Sequence, residues 1–393
     1  MAEGDFPAGS GDNPFAGLPM FGEFAKMLGA QGPLNWDAAR QFAAMASTGG
    51  ASEGNPDPAV RIRLQELARI VELHVHDITG LDSAFPEITA VGRGEWARRT
   101  LEAYRPLFTE MAVSLGRRDA SDDADQPGDP MMAMMANLSQ MMAPSMMGMA
   151  IGSMVGRMAA RTFGQYDLPI PRDDAALLVV PSNIDSFAAD WSLPVDEMRL
   201  WVLAQELTGH TLFSIASLRN QYASMVRAHV GAFRPDPGAI AERLGSIGAD
   251  ESADPMQAVQ QLFGDPALLL GAVQSPQQAE MAPRLDAATA AVVGCVDYLV
   301  DSVAVRVIGG DALRIAEAVR RRRVESGADE MFVHRLLGVH LSNEQVQRGK
   351  TFAAGVVDRV GEAGLTRLLG RPDALPTPAE LDAPGLWVAR VEL

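Results

Sequence analysis

Four side chains that could do acid–base or nucleophilic chemistry lie in two apolar segments of the sequence. Glu206 and His210 lie in the first segment, and Cys295 and Asp297 lie in the second. A glutamate and an aspartate could act together as general acid and base, and a thiol beside a histidine could act as a nucleophile. The apolar neighbours of Cys295 favour a protonated and unreactive thiol instead.

Glu206 lies in a helix that we predict to begin near Leu193. Apolar and small residues recur along this helix at helical spacing and form one packed stripe: Leu200, Leu203, Ala204, Leu207, Thr211, Ile215 and Leu218. Gln205 and Gly209 lie on roughly the opposite side, which we expect to border a cleft. His210 lies about 100° around the helix from Gly209, near the edge of the stripe, which favours a packed or capping role.

The surroundings of Glu206 can be compared with the zinc-protease signature H-E-x-x-H. In that signature two histidines on one helix face bind zinc, and the glutamate activates the zinc-bound water. The string here is Gln205-Glu206-Leu207-Thr208-Gly209, which keeps the glutamate and lacks both histidines. Without a metal, Glu206 has no acidified water to deprotonate. Five residues alone are too few to identify a family.

The resemblance to a known family extends well beyond these five residues. Residues 201–213 resemble the active-site helix of the zincin-like metallopeptidase family (type 2) of high-GC bacteria, whose members are also named putative hydrolases or zinc-dependent metalloproteases. The family pattern in this helix is close to W-V-x-x-H-E-x-T-H-x-x-x-F. Other segments that resemble the family cover almost the whole chain: 13–19, 35–37, 57–63, 164–172, 352–361, 375–380 and 387–390.

The resemblance implies three zinc ligands in catalytic relatives, and this chain keeps none of them. Gln205 and Gly209 stand at the two histidine positions. The third ligand is expected to be a glutamate in an L-E-G-H-x-D-like segment, where this chain has Val293, followed by Cys295 at the position of the neighbouring histidine. Asp297 matches the aspartate of that segment and could orient a ligand histidine in a relative that has one.

The chain is therefore identified as a degenerate member of this family. Zinc is the cofactor of catalytic relatives, and we expect no cofactor here, with Glu206 as the remnant of the general base. Our leading hypothesis is a non-catalytic pseudoenzyme that binds a protein or peptide partner, for which a catalytic paralogue is one candidate. The alternative is a hydrolase with a relocated site that uses Glu206 with His210, Asp297 or Cys295.

The hydrophobic patterns elsewhere predict a mainly α-helical fold with at most a few short strands. We expect a flexible N-terminal arm with short helices over residues 1–57 and a zincin-like helical domain over residues 58–393. Helices are predicted over residues 59–78 and 91–115. The best strand candidate is the apolar run Leu177–Val180.

A methionine-rich stretch is the least ordinary part of the predicted domain. An acidic loop over residues 117–130 precedes it, and we predict a buried helical hairpin over residues 131–165, broken near Pro144. Its glycines at positions 148, 152 and 156 recur every four residues and would let a neighbouring helix approach closely. A transmembrane helix or a thioether site for Cu(I) over Met131–Met158 are the alternatives.

Composition limits the function classes further. The net charge of −17 argues against a general nucleic-acid binder and against docking on anionic lipid. The single cysteine excludes an intrachain disulfide, and the N-terminal residues have no signal-peptide pattern. We therefore expect a cytoplasmic protein.

Overall fold

The computed structural model describes most of the chain as a set of helices around one small sheet. The described residues are 32–81, 86–115, 130–173, 176–234, 275–324, 336–339 and 341–392, with side chains described from residue 142 in the helix that begins at Pro130 and up to residue 322 in the helix that ends at Val324. The predicted acidic loop, apart from Pro130, and most of the predicted N-terminal arm lie outside these residues.

The mainly α-helical prediction is confirmed. The helices of the N-terminal half are α1 (Trp36–Thr48), α2 (Pro58–Thr79), α3 (Arg93–Ala103), α4 (Arg105–Leu115), α5 (Pro130–Ala159), α6 (Pro181–Asp190), α7 (Val195–Ser214) and α8 (Ala216–Gly231). Those of the C-terminal half are α9 (Pro276–Val307), α10 (Ala312–Val324), α11 (Asn343–Val360), α12 (Glu362–Leu369), α13 (Pro378–Asp382) and α14 (Pro384–Glu392), and a 3₁₀ turn spans Gly309–Asp311.

Capping residues in the sequence explain where several helices begin and end. Asp57 accepts a hydrogen bond from the backbone of Ala59 and is followed by a proline, so α2 begins there. Gly80 ends α2 in a left-handed conformation with a φ of 64°. Ser275 and Gln278 form a reciprocal capping box at the start of α9. These local signals are readable without the tertiary structure.

Two parallel strands form the sheet, and the residues between α5 and the second strand are hydrogen-bonded to it. Strand β1 (Glu87–Ala90) pairs with β2 (Ala176–Val179), and Ile88 lies opposite Leu177. The strand predicted over Leu177–Val180 therefore exists, one residue earlier, whereas β1 was not predicted from the sequence. The backbone N–H of Val180 donates to the carbonyl of Phe163 at 2.8 Å, which ties the residues after α5 to the sheet.

Two helix predictions need correction. The helix predicted over residues 91–115 is two helices, α3 and α4, which separate at Tyr104. Pro106 lies in the first turn of α4, where its missing N–H cannot donate to the carbonyl of Glu102 and so cannot continue α3. The hairpin predicted to break near Pro144 is wrong, because α5 continues through this proline. The backbone N–H of Asn35 donates to the carbonyl of Pro144 at 2.9 Å. The residue that precedes α1 therefore supports α5 at the proline.

The glycines of α5 bring α1 into backbone contact, as the sequence predicts. A Cβ atom added at Gly148, Gly152 or Gly156 would lie under 3.0 Å from the carbonyl oxygen of Asn35, Ala39 or Ala43, respectively. Only a residue without a side chain allows this approach. Helix α1 therefore packs against the body of the protein along the glycine face of α5.

Helix α9 is long and apolar enough to cross a membrane by length and composition alone, although 67% of its most apolar window is buried inside the protein. It packs against α7, α8 and α11. The contact with α11 is close, because a Cβ added at Gly294 would collide with the backbone of Gly349 and Lys350. Helix α7 is buried along most of its length between α2, α6 and α9.

Replacing Gly152 by alanine is expected to lower the free energy of unfolding by about 1–3 kcal/mol, because the cost of overpacking exceeds the roughly 1 kcal/mol that alanine gains over glycine in a helix. Urea denaturation of the purified variant measures this difference. Gly54→Ala is the control, since an added Cβ there has no atom within 4 Å. Equal denaturation midpoints for Gly152→Ala and the natural protein would contradict the close approach of α1.

Candidate functional site

Helix α7 and the segment that crosses it form the candidate site. The crossing segment, residues 162–172, connects α5 to the region of β2 and contacts α7 at Gln205, Glu206 and Gly209. Gln205 is 6% exposed and Glu206 is 0% exposed. The face of α7 that we expected to border an open cleft is therefore covered at these positions.

Glu206 is held by the backbone of the crossing segment. The N–H of Tyr166 donates to both carboxyl oxygens, at 2.9 and 3.2 Å. Gly164 lies against the same carboxyl group, since an added Cβ there would collide with it. The carbonyl of Gly164 accepts a hydrogen bond of 3.0 Å from the Trp96 indole, which fixes the loop from its other side.

The environment of Glu206 favours its neutral form. Burial raises the pKa of this carboxyl group well above its ordinary value, and the nearby charge of Asp167 acts in the same direction. The backbone N–H groups of Tyr166 and Gln165 favour the ionised form but do not offset the burial. Glu206 is thus a buried carboxyl group whose raised pKa favours the protonated form.

Asp167 is the carboxylate beside the first expected ligand position. Its Oδ1 accepts a hydrogen bond of 3.2 Å from the Gln205 side-chain amide. Its Oδ2 accepts from the Thr162 hydroxyl at 2.9 Å and from the backbone N–H of Phe163. Sequence reasoning missed Asp167, although the residues around it, 164–172, carry part of the family resemblance.

Tyr166 fills the space at the second expected ligand position. Its ring atoms Cγ and Cδ2 lie 3.0 and 3.2 Å from where a Cβ of residue 209 would be, so Gly209 leaves room for the ring. The ring stacks on Phe213 with centroids 5.5 Å apart. The Tyr166 hydroxyl lies 3.5 Å from Nδ1 of His210. A histidine at position 209 would have to displace this aromatic packing.

Gln205 and Val293 line one pocket of about 150 Å³, so the structure brings the first and third expected ligand positions together. The charged residues of its wall are Arg157, Arg161, Asp167 and Arg322. We call this cavity the arginine pocket. Its other wall residues are Met158, Thr162, Tyr166, Leu168, Pro169, Val319, Val339, Leu341 and Val346.

The donor set of this site does not fit zinc. A catalytic zinc needs three protein ligands drawn from imidazole, carboxylate or thiolate groups. Gln205, Gly209 and Val293 supply none of these, and Asp167 is the one carboxylate that the described residues place in the wall of the arginine pocket. In the described part of the chain, no group of three histidine, cysteine, aspartate or glutamate residues could hold a metal ion.

His210, Cys295 and Asp297, the other candidate residues, do not line one pocket together. Cys295 is fully buried, and burial raises the pKa of its thiol to about 12. Asp297 lies 3.6 Å from the ammonium group of Lys350, which it shares with Asp301, and it has no described contact with Gln205. His210 lines a second pocket, which also includes Tyr166 in its wall. Neither Cys295 nor Asp297 lines either pocket.

Comparisons with known proteins agree with this architecture. The sequence model of a family described as zincin-like metallopeptidase matches residues 34–388. A solved structure, "a putative hydrolase with a novel fold" from Chloroflexus aurantiacus, superposes with a TM-score of 0.57. It is 21% identical and covers 91% of this chain and 99% of its own, so the likeness concerns the fold. No curated protein sequence matches significantly.

The state of Glu206 predicts a pH dependence of stability. Because its pKa is raised in the folded protein, the unfolded chain releases this proton first as the pH rises. The stability that the neutral carboxyl supports is full below its unfolded pKa and is lost as the pH rises toward the folded value. Glu206→Gln lacks this loss, so the variant should gain stability relative to the natural protein over the pH range above about 4.5, the ordinary pKa of a glutamate.

Urea denaturation across this pH range measures the effect. The control is Glu95→Gln, which removes a carboxylate whose pKa Arg98 and Arg99 hold at about 2 and which therefore stays ionised throughout the range. Its stability difference from the natural protein should be constant. Parallel profiles for Glu206→Gln and the natural protein would show that Glu206 is ionised in the fold.

Proposed function

The chain belongs to the zincin-like metallopeptidase family, and we propose that it is a non-catalytic member with a binding or regulatory role. One observation carries the proposal. The three expected zinc-ligand positions hold Gln205, Gly209 and Val293, and the ring of Tyr166 occupies the space beside Gly209. Loss of the donors and filling of their space together remove the site for the metal.

The state of Glu206 supports the same proposal. A general base must reach a water or substrate proton within hydrogen-bond distance. Glu206 is fully buried, and both of its oxygens accept the backbone N–H of Tyr166. Glu206 therefore stabilises the crossing segment. In a catalytic enzyme the glutamate would instead face a bound water.

The arginine pocket is the proposed binding site for a protein or peptide partner. The guanidinium of Arg322 lies 3.7 Å from the ring centroid of Phe163 and donates to the carbonyl of Arg161, which holds it in place at the pocket wall. Three arginines face one carboxylate, Asp167, whose oxygens already accept hydrogen bonds. The positive charge of these arginines and the apolar walls of the pocket complement a partner segment that carries an acidic group beside an apolar side chain. A catalytic paralogue in the cytoplasm is a candidate partner.

Metal analysis tests the loss of zinc. Purified protein that is incubated with excess zinc and then desalted should contain far less than one zinc per chain, because no three donors converge at the site. Inductively coupled plasma mass spectrometry gives the stoichiometry. One tightly bound zinc per chain would overturn the proposal.

A restored variant provides the matched comparison. Gln205→His, Gly209→His and Val293→Glu together return the three donors, but the new imidazole at position 209 would meet the Tyr166 ring. We expect weak zinc binding by this triple variant and stronger binding when Tyr166→Ala is added. Zinc binding of equal strength with and without Tyr166→Ala would show that the ring does not block the site.

A hydrolase with a relocated site is the second candidate. It is favoured by Tyr166, whose backbone contacts Glu206 while its hydroxyl lies 3.5 Å from His210. The positions of Cys295 and Asp297, outside both pockets, weigh against their part in it. If ester or peptide substrates are turned over, Glu206→Gln should abolish turnover in a relocated hydrolase. A scaffold has no turnover to lose and should tolerate the substitution.

A further inference from the structure

A second pocket, on the His210 side of Tyr166, has the features of an anion site. It has a volume of about 310 Å³ and is lined by Tyr166, Arg172, Asp173, His210, Phe213, Ser214 and Arg219. We call it the His210 pocket. None of the three expected zinc-ligand positions lines it, and Tyr166 is the one residue that it shares with the arginine pocket.

Arg172 is a buried guanidinium that forms no salt bridge with a described carboxylate, although its charge acts on the nearby Glu206 carboxyl group. It is 7% exposed and lies over the rings of Trp96 and Tyr104, at 5.4 and 4.9 Å from their centroids. Its Nε donates to the Tyr104 hydroxyl at 3.2 Å, and its Nη2 donates to the Thr100 hydroxyl at 2.8 Å. Its Nη1 is buried and has no hydrogen-bond partner among the described residues.

Such an arrangement is unfavourable in the absence of a ligand. A buried charge is normally paired, and a buried donor without an acceptor loses its hydrogen bonds to water without replacement. The described residues also form no salt bridge with Arg172, although they pair many of the other arginines. The donor that remains on Arg172 therefore indicates an acceptor that the described residues do not provide.

The rest of the pocket sets the charge of that acceptor. Arg219 is half-buried and adds a second guanidinium, while Asp173 is the only carboxylate among the described residues of the wall. Two guanidiniums against one carboxylate leave an excess of one positive charge, which a singly charged anion neutralises. A phosphate dianion would leave negative charge in excess. Tyr166 and Phe213 supply stacked aromatic walls for an apolar body.

We propose that the His210 pocket binds a small monocarboxylate with an aromatic or apolar body. The carboxylate accepts hydrogen bonds from Arg172 and Arg219, and the body packs against Tyr166 and Phe213. Since Tyr166 also walls the arginine pocket, a ligand in the His210 pocket contacts the residue that covers Gly209. The site is independent of zinc and of any partner in the arginine pocket.

Calorimetric titration with benzoate tests the proposal. The full-length protein should bind one benzoate per chain saturably, and benzyl alcohol, which lacks the charge, should not bind. Arg219→Gln should weaken benzoate binding by about tenfold or more, since a charge-assisted hydrogen bond is lost. Arg161→Gln is the matched control, because Arg161 is an exposed arginine of the arginine pocket, and it should leave the affinity unchanged.

Arg172→Lys is the second variant, which keeps the charge and loses the planar fork. If circular dichroism shows that it folds, its benzoate affinity should fall, and if it does not fold, Arg219→Gln alone decides. The proposal is overturned by the absence of saturable benzoate binding up to about 10 mM. It is also overturned if Arg161→Gln weakens binding as much as Arg219→Gln does, or if inorganic phosphate binds as tightly as benzoate.

Discussion

The hydrogen bonds between the buried carboxyl group of Glu206 and the backbone N–H of Tyr166 organise the whole site. They hold the crossing segment against α7. With the segment fixed there, Asp167 reaches Gln205 and the Tyr166 ring covers Gly209. A buried carboxyl group needs hydrogen-bond partners, and here the partners come from the backbone of the one segment that can close the cleft. The glutamate has thereby become part of the packing.

The contacts around α7 replace the organising role that a metal would have. A zinc ion holds its ligands together by coordination and fixes their side chains through surrounding hydrogen bonds. In this protein an amide–carboxylate pair, Gln205 with Asp167, and an aromatic stack, Tyr166 with Phe213, occupy the corresponding region. Both interactions are internal to the chain.

Tyr166 also divides the region into two pockets of different chemistry. The arginine pocket retains the first and third expected ligand positions. The His210 pocket contains the buried Arg172 and none of the ligand positions. A loss of catalysis need not remove binding, because a pocket persists wherever its walls are held by the core. Here the sheet and helices α5, α7 and α9 hold those walls.

The sequence by itself determined the helical class, the ends of helices such as α2 and the glycine face of α5, because these depend on periodicity and on capping residues close in the chain. It also determined that Gln205, Gly209 and Val293 cannot supply zinc ligands, since that is a matter of side-chain chemistry. Only the tertiary structure decided that α5 continues through Pro144, where the distant Asn35 binds its carbonyl.

The roles of Asp167, Tyr166 and Arg172 were likewise decided by the tertiary structure. Each depends on contacts between residues that are 38 to 72 positions apart in the chain. The local hydrophobic pattern predicts which face of α7 packs in the core. Which segment lies over the opposite face, at Gln205 and Gly209, is decided by long-range packing. For the same reason the sequence placed Asp297 and Cys295 in the cleft, whereas the fold pairs Asp297 with Lys350 and buries Cys295 in the core.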